Sequence, residues 1–260
     1  MFDVSMRHKL EKIASDAGLI LIDFLHREHD VEWKTGHELV TSADIASERH
    51  LRMALSSLLP EASFVGEESW EGEMPSFPFW VVDPLDGTNN FALGFPFFSV
   101  SIALAEEDGI SLACVHDPLR RETFSAEKGH GANLNGRSIE TSGSVSLSEV
   151  LLATGFPYSR TPEDLGMDLG VLKYFLGHAL GIRRGGSAAL DLAYTSCGRL
   201  GDFCEEHLKS WDMAAGILLV EEAGGRVSGY DGKPWSLYSE GISAAGAGLF
   251  EALRAGISSS

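Results

Sequence analysis

Leu10, Ile13, Ala14, Ala17, Leu21, Phe24 and Leu25 recur at helical spacing, which predicts an amphipathic helix over Ser5 to Arg27. His26, His29 and Asp30 lead into a polar stretch, DVEWKTGHELVTSAD. A second helix is expected to open near Ser42, with Ile45, Leu51, Ala54, Leu55 and Leu58 as its apolar stripe and Pro60 closing it. The period then shortens. ASFVG, PFWVVD, FFSVSIALA and ISLACVHD read as strands, the last two joined by the acidic glycine turn EEDG, and ETFSA and GHGANLNG continue that character. From about Val150 the pattern alternates: VLLAT as a strand, Asp164 to His178 as a helix, GIRR as a short strand, and Ser187 to about Cys197 as a helix. RLGDFCE follows as a strand, then a helix opening at Ser210, GGRVSGYDG as a turn-rich strand, and a small helix around Leu249 to Arg254. Only the SSS tail reads as disordered.

Helices and strands interleave in both halves, yet several strands are joined by hairpins. Alternating layers of helix and mixed sheet, an α/β (α+β) sandwich, fit this better than one doubly wound sheet. No repeat or linker divides the 260 residues, so a single domain of two packed halves, 1–149 and 150–260, is expected. The 38 acidic against 20 basic residues leave a net charge of −18, with no basic surplus to displace counterions, which argues against nucleic acid or an anionic membrane as main partner. An anionic substrate would need the sign reversed locally, as a divalent metal would do. Three cysteines, Cys114, Cys197 and Cys204, are too few for a disulfide framework and suit a reducing compartment. No signal-peptide pattern and no run of about 18 apolar residues occurs, so a cytoplasmic location is expected.

Against that acidic background, FWVVDPLDGTNNF ends an apolar run in two aspartates. D-P-x-D-G is ordinary turn chemistry. It also stands at the carboxyl end of a predicted strand, where ligand sites form in α/β folds. Magnesium takes oxygen ligands octahedrally, and Asp83, Asp86 and the Leu85 carbonyl offer three from one rigid turn, with Gly87 leaving room for a phosphate. Glu67, in FVGEES, ends another short apolar run; adjacent glutamates are more often a solvated loop. In SWDMAAG, Ser210 reads as an N-cap and Asp212 as a first-turn charge that suits the helix dipole. Asp44, in TSAD, matches a capping box. Gly185-Gly186-Ser187-Ala188-Ala189 reads either as a glycine loop capped by Ser187 or as a helix N-terminus able to hold an anion.

GEES, DPLDGTNNF and WDMAAG together, in that order and spacing, resemble the inositol monophosphatase family of magnesium-dependent phosphatases. The resemblance runs from Lys34 and LVTSAD to EEAGGRVS, nearly the whole chain. It implies that Glu67, Asp83, the Leu85 carbonyl, Asp86 and Asp212 hold two or three Mg²⁺ ions. It implies that Gly87 and Thr88 receive phosphate oxygens, and that Asp44 hydrogen-bonds Thr88 and, with Glu67, orients and activates a metal-bound water. Glu205, seven residues before Asp212, matches a residue that grips substrate hydroxyls; Ala188, with Gly186 and Ser187 beside it, matches a backbone contact to substrate. The family's layered α-β-α-β-α fold, homodimer and lithium sensitivity are expected with it. The metals would offset the clustered carboxylates and the phosphate alike.

A haloacid-dehalogenase-type reading fits poorly, because the spacing is D-x-x-D and more than eighty residues precede it. Relatives of the same fold hydrolyse histidinol phosphate, fructose 1,6-bisphosphate, 3′-phosphoadenosine 5′-phosphate or NADP. Asn89-Asn90-Phe91 is nearer the T-N-F usual in inositol monophosphatases than the K-E-F of the phosphoadenosine-phosphate branch, although Asn89 itself departs from it. Glu205 favours a polyol, since a carboxylate accepts two vicinal hydroxyl hydrogens. Inositol 1-phosphate therefore ranks first, histidinol phosphate and fructose 1,6-bisphosphate next. A reading of another class is a regulatory binding partner of the transcription machinery.

Overall fold

The computed structural model describes residues 4–25, 31–33, 39–156 and 169–258. Lys34 and the first residues of the helix expected from Asp164 lie outside these. The apolar run FWVV becomes the start of β4 (Phe79–Asp86), every residue of which is buried. Its run is continuous because side chains alternate between two cores. Trp80 and Val82 face the helices α1 (Val4–Leu25) and α2 (Ser42–Leu58), where Leu10, Ala14, Leu21, Leu51 and Leu55 pack. Phe79 and Val81 face α5 (Ala188–Ser196) and α6 (Ser210–Glu222), through Leu190 and Leu219. β4 belongs to a seven-stranded sheet with β3 (Ser63–Gly66), β5 (Ser99–Glu106), β6 (Gly109–Asp117), β7 (Glu122–Glu127), β8 (Ala132–Leu134) and β9 (Arg137–Ser138), in the order β3-β4-β5-β6-β7-β8-β9. β3 is parallel to β4, and the rest of the sheet is antiparallel.

The second sheet has five strands in the order β11-β10-β12-β14-β13. β10 (Leu151–Thr154) runs parallel to β11 (Gly181–Arg183) and β12 (Asp202–Glu206); β14 (Gly241–Gly246) is antiparallel to β12 and β13 (Gly225–Gly229). One face packs on α5 and α6 through Leu192, Met213, Ile217, Phe203 and Ile242. The other takes α4 (Leu169–His178) and α7 (Phe250–Ser258) through Val171, Phe175, Leu249, Phe250 and Leu253. Two mixed sheets thus alternate with three helical layers, as expected. A two-stranded ribbon, β1 (Val31–Trp33) with β2 (Leu39–Thr41), enters α2. No helix among the described residues is long and apolar enough to cross a membrane.

Three local expectations are corrected. Ile45 is 59% exposed and so is no part of the buried stripe of α2; Asp44, Ser47 and Glu48 are buried in its stead. α7 continues to Ser258 because Gly256 packs against Tyr174 and Phe175 instead of ending the helix, so the first serine of the SSS tail is helical. β14, missed in the sequence, is built from glycine, alanine and serine around one isoleucine; low β-propensity hid it, and helices packed on both faces explain the small side chains.

Asp202 on β12 is fully buried, and neither carboxylate oxygen has a hydrogen-bond partner. Burial pushes its carboxyl up to about 8. The folded chain therefore keeps a proton that the unfolded chain releases above about pH 4, so this group costs stability progressively as pH rises from there to 8. Asp202→Asn is expected to stabilise the protein by at least about 1.4 kcal/mol at pH 8, one pKa unit's worth, with the gain vanishing near pH 4. Urea unfolding of both proteins at the two pH values checks this.

Candidate metal centre

Asp83 and Asp86 stand at the carboxyl end of β4, where the pairing with β5 (Ser99–Glu106) shifts register between them. That irregularity turns both side chains towards the N-terminus of α6, which brings Asp212. One carboxylate oxygen from each of the three lies within 4.8 Å of the others. None of the three forms an ion pair with a lysine or arginine among the described residues. Burial first, then the negative charges of Glu67, Asp86 and Asp212, hold the Asp83 carboxyl well above the usual carboxylate range. Burial, then Asp86 and Glu67, push Asp212 up likewise.

Asp86 is raised less, to about 6; burial raises it while hydrogen bonds lower it. Asp86 Oδ2 accepts from Ser187 Oγ at 2.5 Å and from the Ala189 amide at 2.8 Å. Both readings of the GGSAA stretch are thereby refined. Ser187 holds the N-cap position of α5, but its side chain makes no capping bond to the helix; the anion at that helix N-terminus is the Asp86 carboxylate. Ala188 opens the helix beside it. Gly87 sits at φ +95, and a Cβ there would lie 3.0 Å from the Phe97 carbonyl and 3.2 Å from that of Gly186, so the DGT turn and the Gly186 loop touch. Asn90 stitches them, donating from Nδ2 to the carbonyls of Phe97 (2.7 Å) and Gly185 (2.9 Å).

Thr88 begins the short helix α3 (Thr88–Ala92), which the sequence pattern did not show. Its Oγ1 lies 3.0 Å from Asp44 Oδ1 and 3.0 Å from the Leu85 carbonyl oxygen. One hydroxyl proton can serve only one of them. The other oxygen of Asp44 accepts from Thr41 N (2.7 Å) and Thr41 Oγ1 (2.6 Å), so the capping box is present too. Asp212 is similarly double: Oδ2 accepts the Lys209 amide at 2.7 Å. Lys209, not Ser210, is the N-cap residue, since the helical backbone already includes Ser210.

Glu67 opens a 3₁₀ turn, Glu67–Ser69, directly after β3. It is outside the tight triad, yet its charge bears on Asp83, Asp86 and Asp212. Trp70 and Trp211 meet edge to face at 5.5 Å, tying this turn to the start of α6. Glu205 projects from β12 towards the same region; burial pushes its carboxyl up to about 8, with Arg184 opposing and Asp86 adding to it. A Cβ on Gly155 would fall 1.8 Å from Glu205 Cδ, so that glycine makes room for the carboxylate. Asp191, unremarked in the sequence, is 2% exposed, and its Oδ2 has no hydrogen-bond partner. Burial, then Glu205 and Asp86, raise it. Its i+4 spacing from Ser187 in an apolar helix was the only available signal.

Uncompensated buried carboxylates are costly, and a hard oxygen-only donor set is what a divalent cation such as Mg²⁺ takes. Layered mixed sheets around such a cluster define an α/β protein with a centre able to hold a metal. The comparisons with known proteins agree: the chain belongs to the inositol monophosphatase family, a group of phosphoric monoester hydrolases that generally use Mg²⁺, whose sequence profile matches residues 4–259. It is 41% identical over 249 residues to a Pseudomonas aeruginosa protein named Nus factor SuhB, covering 93% of this chain and 92% of that one. It is 37% identical over 229 residues to an inositol monophosphatase of Dictyostelium discoideum, covering 86% and 84%. Among solved structures, the extragenic suppressor protein suhB of Bartonella henselae superposes with a TM-score of 0.89 at 36% identity, over 96% of this chain and 97% of that one.

Proposed function

We propose that this chain is a Mg²⁺-dependent phosphomonoesterase for a small polyol phosphate, with inositol 1-phosphate, cleaved to myo-inositol and phosphate, as first substrate. The observation that carries the reading is the convergence of Asp83, Asp86 and Asp212, none of which forms an ion pair with a lysine or arginine among the described residues. Glu67, Asp83, the Leu85 carbonyl, Asp86 and Asp212 would hold two or three Mg²⁺ ions. Bound there, Mg²⁺ supplies Lewis acidity that lowers the pKa of water and offsets charge on the phosphoryl oxygens and the leaving alkoxide.

The chain's own groups do the rest. Asp44 Oδ1 takes the Thr88 hydroxyl proton, which leaves the Thr88 oxygen to accept a hydrogen from the attacking water. Glu67 helps orient that water, which attacks phosphorus in line, without a phosphoenzyme. Gly87 and Thr88 receive phosphate oxygens at the start of α3. Gly186, Ser187 and Ala188 border the substrate, Asp86 and Asp212 face it, and Glu205 accepts ring hydroxyls. A homodimer, inhibition by Li⁺ and a cytoplasmic location go with this reading.

One observation favours a second reading. The relative at 41% identity is named a Nus factor, and the second reading is accordingly a partner of the transcription machinery. A phosphate-release panel with Mg²⁺ separates the two. Turnover is expected to be fastest on inositol 1-phosphate, ahead of histidinol phosphate and fructose 1,6-bisphosphate, with 3′-phosphoadenosine 5′-phosphate and NADP slowest. Preference for another member overturns the substrate; no release from any of them favours the binding reading.

A further inference from the structure

We infer that the buried polar edge of α2 sets the spacing of the two turns that carry the carboxylates, and that Glu48 and Ser47 are positioning residues for the metal centre. This rests on the reading of the centre given above. Asp44, Ser47 and Glu48 fall at i, i+3 and i+4, on one face of the helix. They are 0%, 0% and 5% exposed. Buried hydroxyls and carboxylates are tolerated when hydrogen-bonded, and each of these three bonds a different segment of the site. Asp44 takes Thr88. Ser47 Oγ donates to the Pro84 carbonyl at 2.9 Å, in the middle of the Asp83–Asp86 turn. Glu48 Oε2 accepts the Glu68 amide at 2.8 Å, next to Glu67.

The ladder between β3 and β4 does not reach the two turns. The β3–β4 ladder ends at Gly66↔Val82, one residue before Glu67 and Asp83. The β4–β5 ladder breaks register between Asp83 and Asp86. Pairing between β3 and β4 therefore stops one residue short of Glu67 and Asp83, while Asp83 and Asp86 stay paired with Ser101 and Ser99 of β5 across a shifted register, and α2 hydrogen-bonds both turns. The fit is close: a Cβ on Gly66 would lie 2.5 Å from Glu48 Oε2. One turn further along α2, Arg52 hydrogen-bonds Ser69 Oγ, stands 3.6 Å from Glu48 Oε1, and places its guanidinium 4.3 Å from the centre of the Phe64 ring. The GEES turn is thus held at Glu68 and at Ser69, with Glu67 beside both.

The test uses the full chain and Mn²⁺ as probe, its binding followed by calorimetry and by the electron paramagnetic resonance of free Mn²⁺. Glu48→Ala removes the acceptor for the Glu68 amide, whereas Glu48→Gln keeps an oxygen there. Residues that orient metal ligands typically contribute about 10- to 100-fold in affinity. Glu48→Ala is therefore expected to weaken Mn²⁺ binding by about 10-fold or more and to raise the half-saturating Mg²⁺ for phosphate release by the same factor. Glu48→Gln should stay near wild type, and Ser47→Ala should weaken binding measurably. A folded Glu48→Ala with unchanged Mn²⁺ affinity overturns the inference, as does a Gln variant as weak as the Ala one. Should Glu48→Ala not fold, unchanged affinity in Ser47→Ala overturns it. Wild-type protein that binds neither Mn²⁺ nor Mg²⁺ refutes the metal centre itself; wild-type binding that α2 variants leave untouched refutes only the role of α2.

Discussion

Asp83→Asn is expected to lower kcat/KM for phosphate release by roughly 10²- to 10³-fold or more, the scale of losing one preorganised charge-stabilising group. It is also expected to raise the melting midpoint of the metal-free protein. The two effects share one cause. Asp83 is 2% exposed, and burial followed by the charges of Glu67, Asp86 and Asp212 disfavours its ionised form. Asparagine keeps the shape and can still accept the Leu85 amide, now bonded to Asp83 Oδ1 at 2.9 Å. It removes one of the mutually repelling charges. For a chain of this size each kcal/mol relieved moves the midpoint by about 2–4 °C. Added Mg²⁺ should reverse the order, because an ion that binds only the folded state stabilises wild type more than a variant with a damaged site. Thermal unfolding in EDTA and in excess Mg²⁺, alongside steady-state kinetics, measures both. A variant with normal kinetics and no gain of stability in EDTA would show that Asp83 is only a turn residue.

Thr88→Val and Asp44→Asn make the second large prediction, and the structure sharpens it. Asp44 serves two masters: Oδ1 faces Thr88, and Oδ2 closes the α2 capping box on Thr41. Replacing one oxygen by an amide must disturb at least one of these. Asp44→Asn is therefore expected to cost about 1 kcal/mol of stability through the cap and roughly 10²-fold in kcat through Thr88. Thr88→Val should cost a similar factor in kcat and, at the cap, nothing. Because the two groups act on the same water, the double variant should be little slower than either single one. For Asp44→Asn, KM should move less than kcat, since Asp44 bonds the Thr88 hydroxyl and does not itself contact the phosphate. Multiplicative losses in kcat would reduce Asp44 to its capping role.

Much of this was legible because the informative segments are local. The apolar run before DPLDGT announced a buried strand ending in carboxylates, and β4 is that strand. Alternation of side chains between two cores also explains why its run reads as continuous. Long-range contacts were not legible. The α2 stripe was misjudged at Ile45 because apolar periodicity cannot reveal that Ser47 and Glu48 would find partners on Pro84 and Glu68, 37 and 20 residues away in the chain. The anion at the α5 N-terminus was anticipated as a kind of site, but only the fold supplies its occupant, Asp86, 103 residues from Ala189. Asp212 and Asp44 show why a structural reading and a chemical one need not compete. Each is the third residue of a helix, where its carboxylate satisfies a backbone donor, and each keeps a second oxygen for the site.

The most direct measurement is phosphate release from inositol 1-phosphate by protein stripped of metal with EDTA and then titrated with Mg²⁺. The proposed donors are carboxylates and one backbone carbonyl, with no catalytic group that would work without the ions, so stripped protein should be inactive and Mg²⁺ should restore activity saturably. Ca²⁺, larger and less strictly octahedral, should restore little. Full activity in thoroughly stripped protein, unchanged on adding Mg²⁺, would contradict the account.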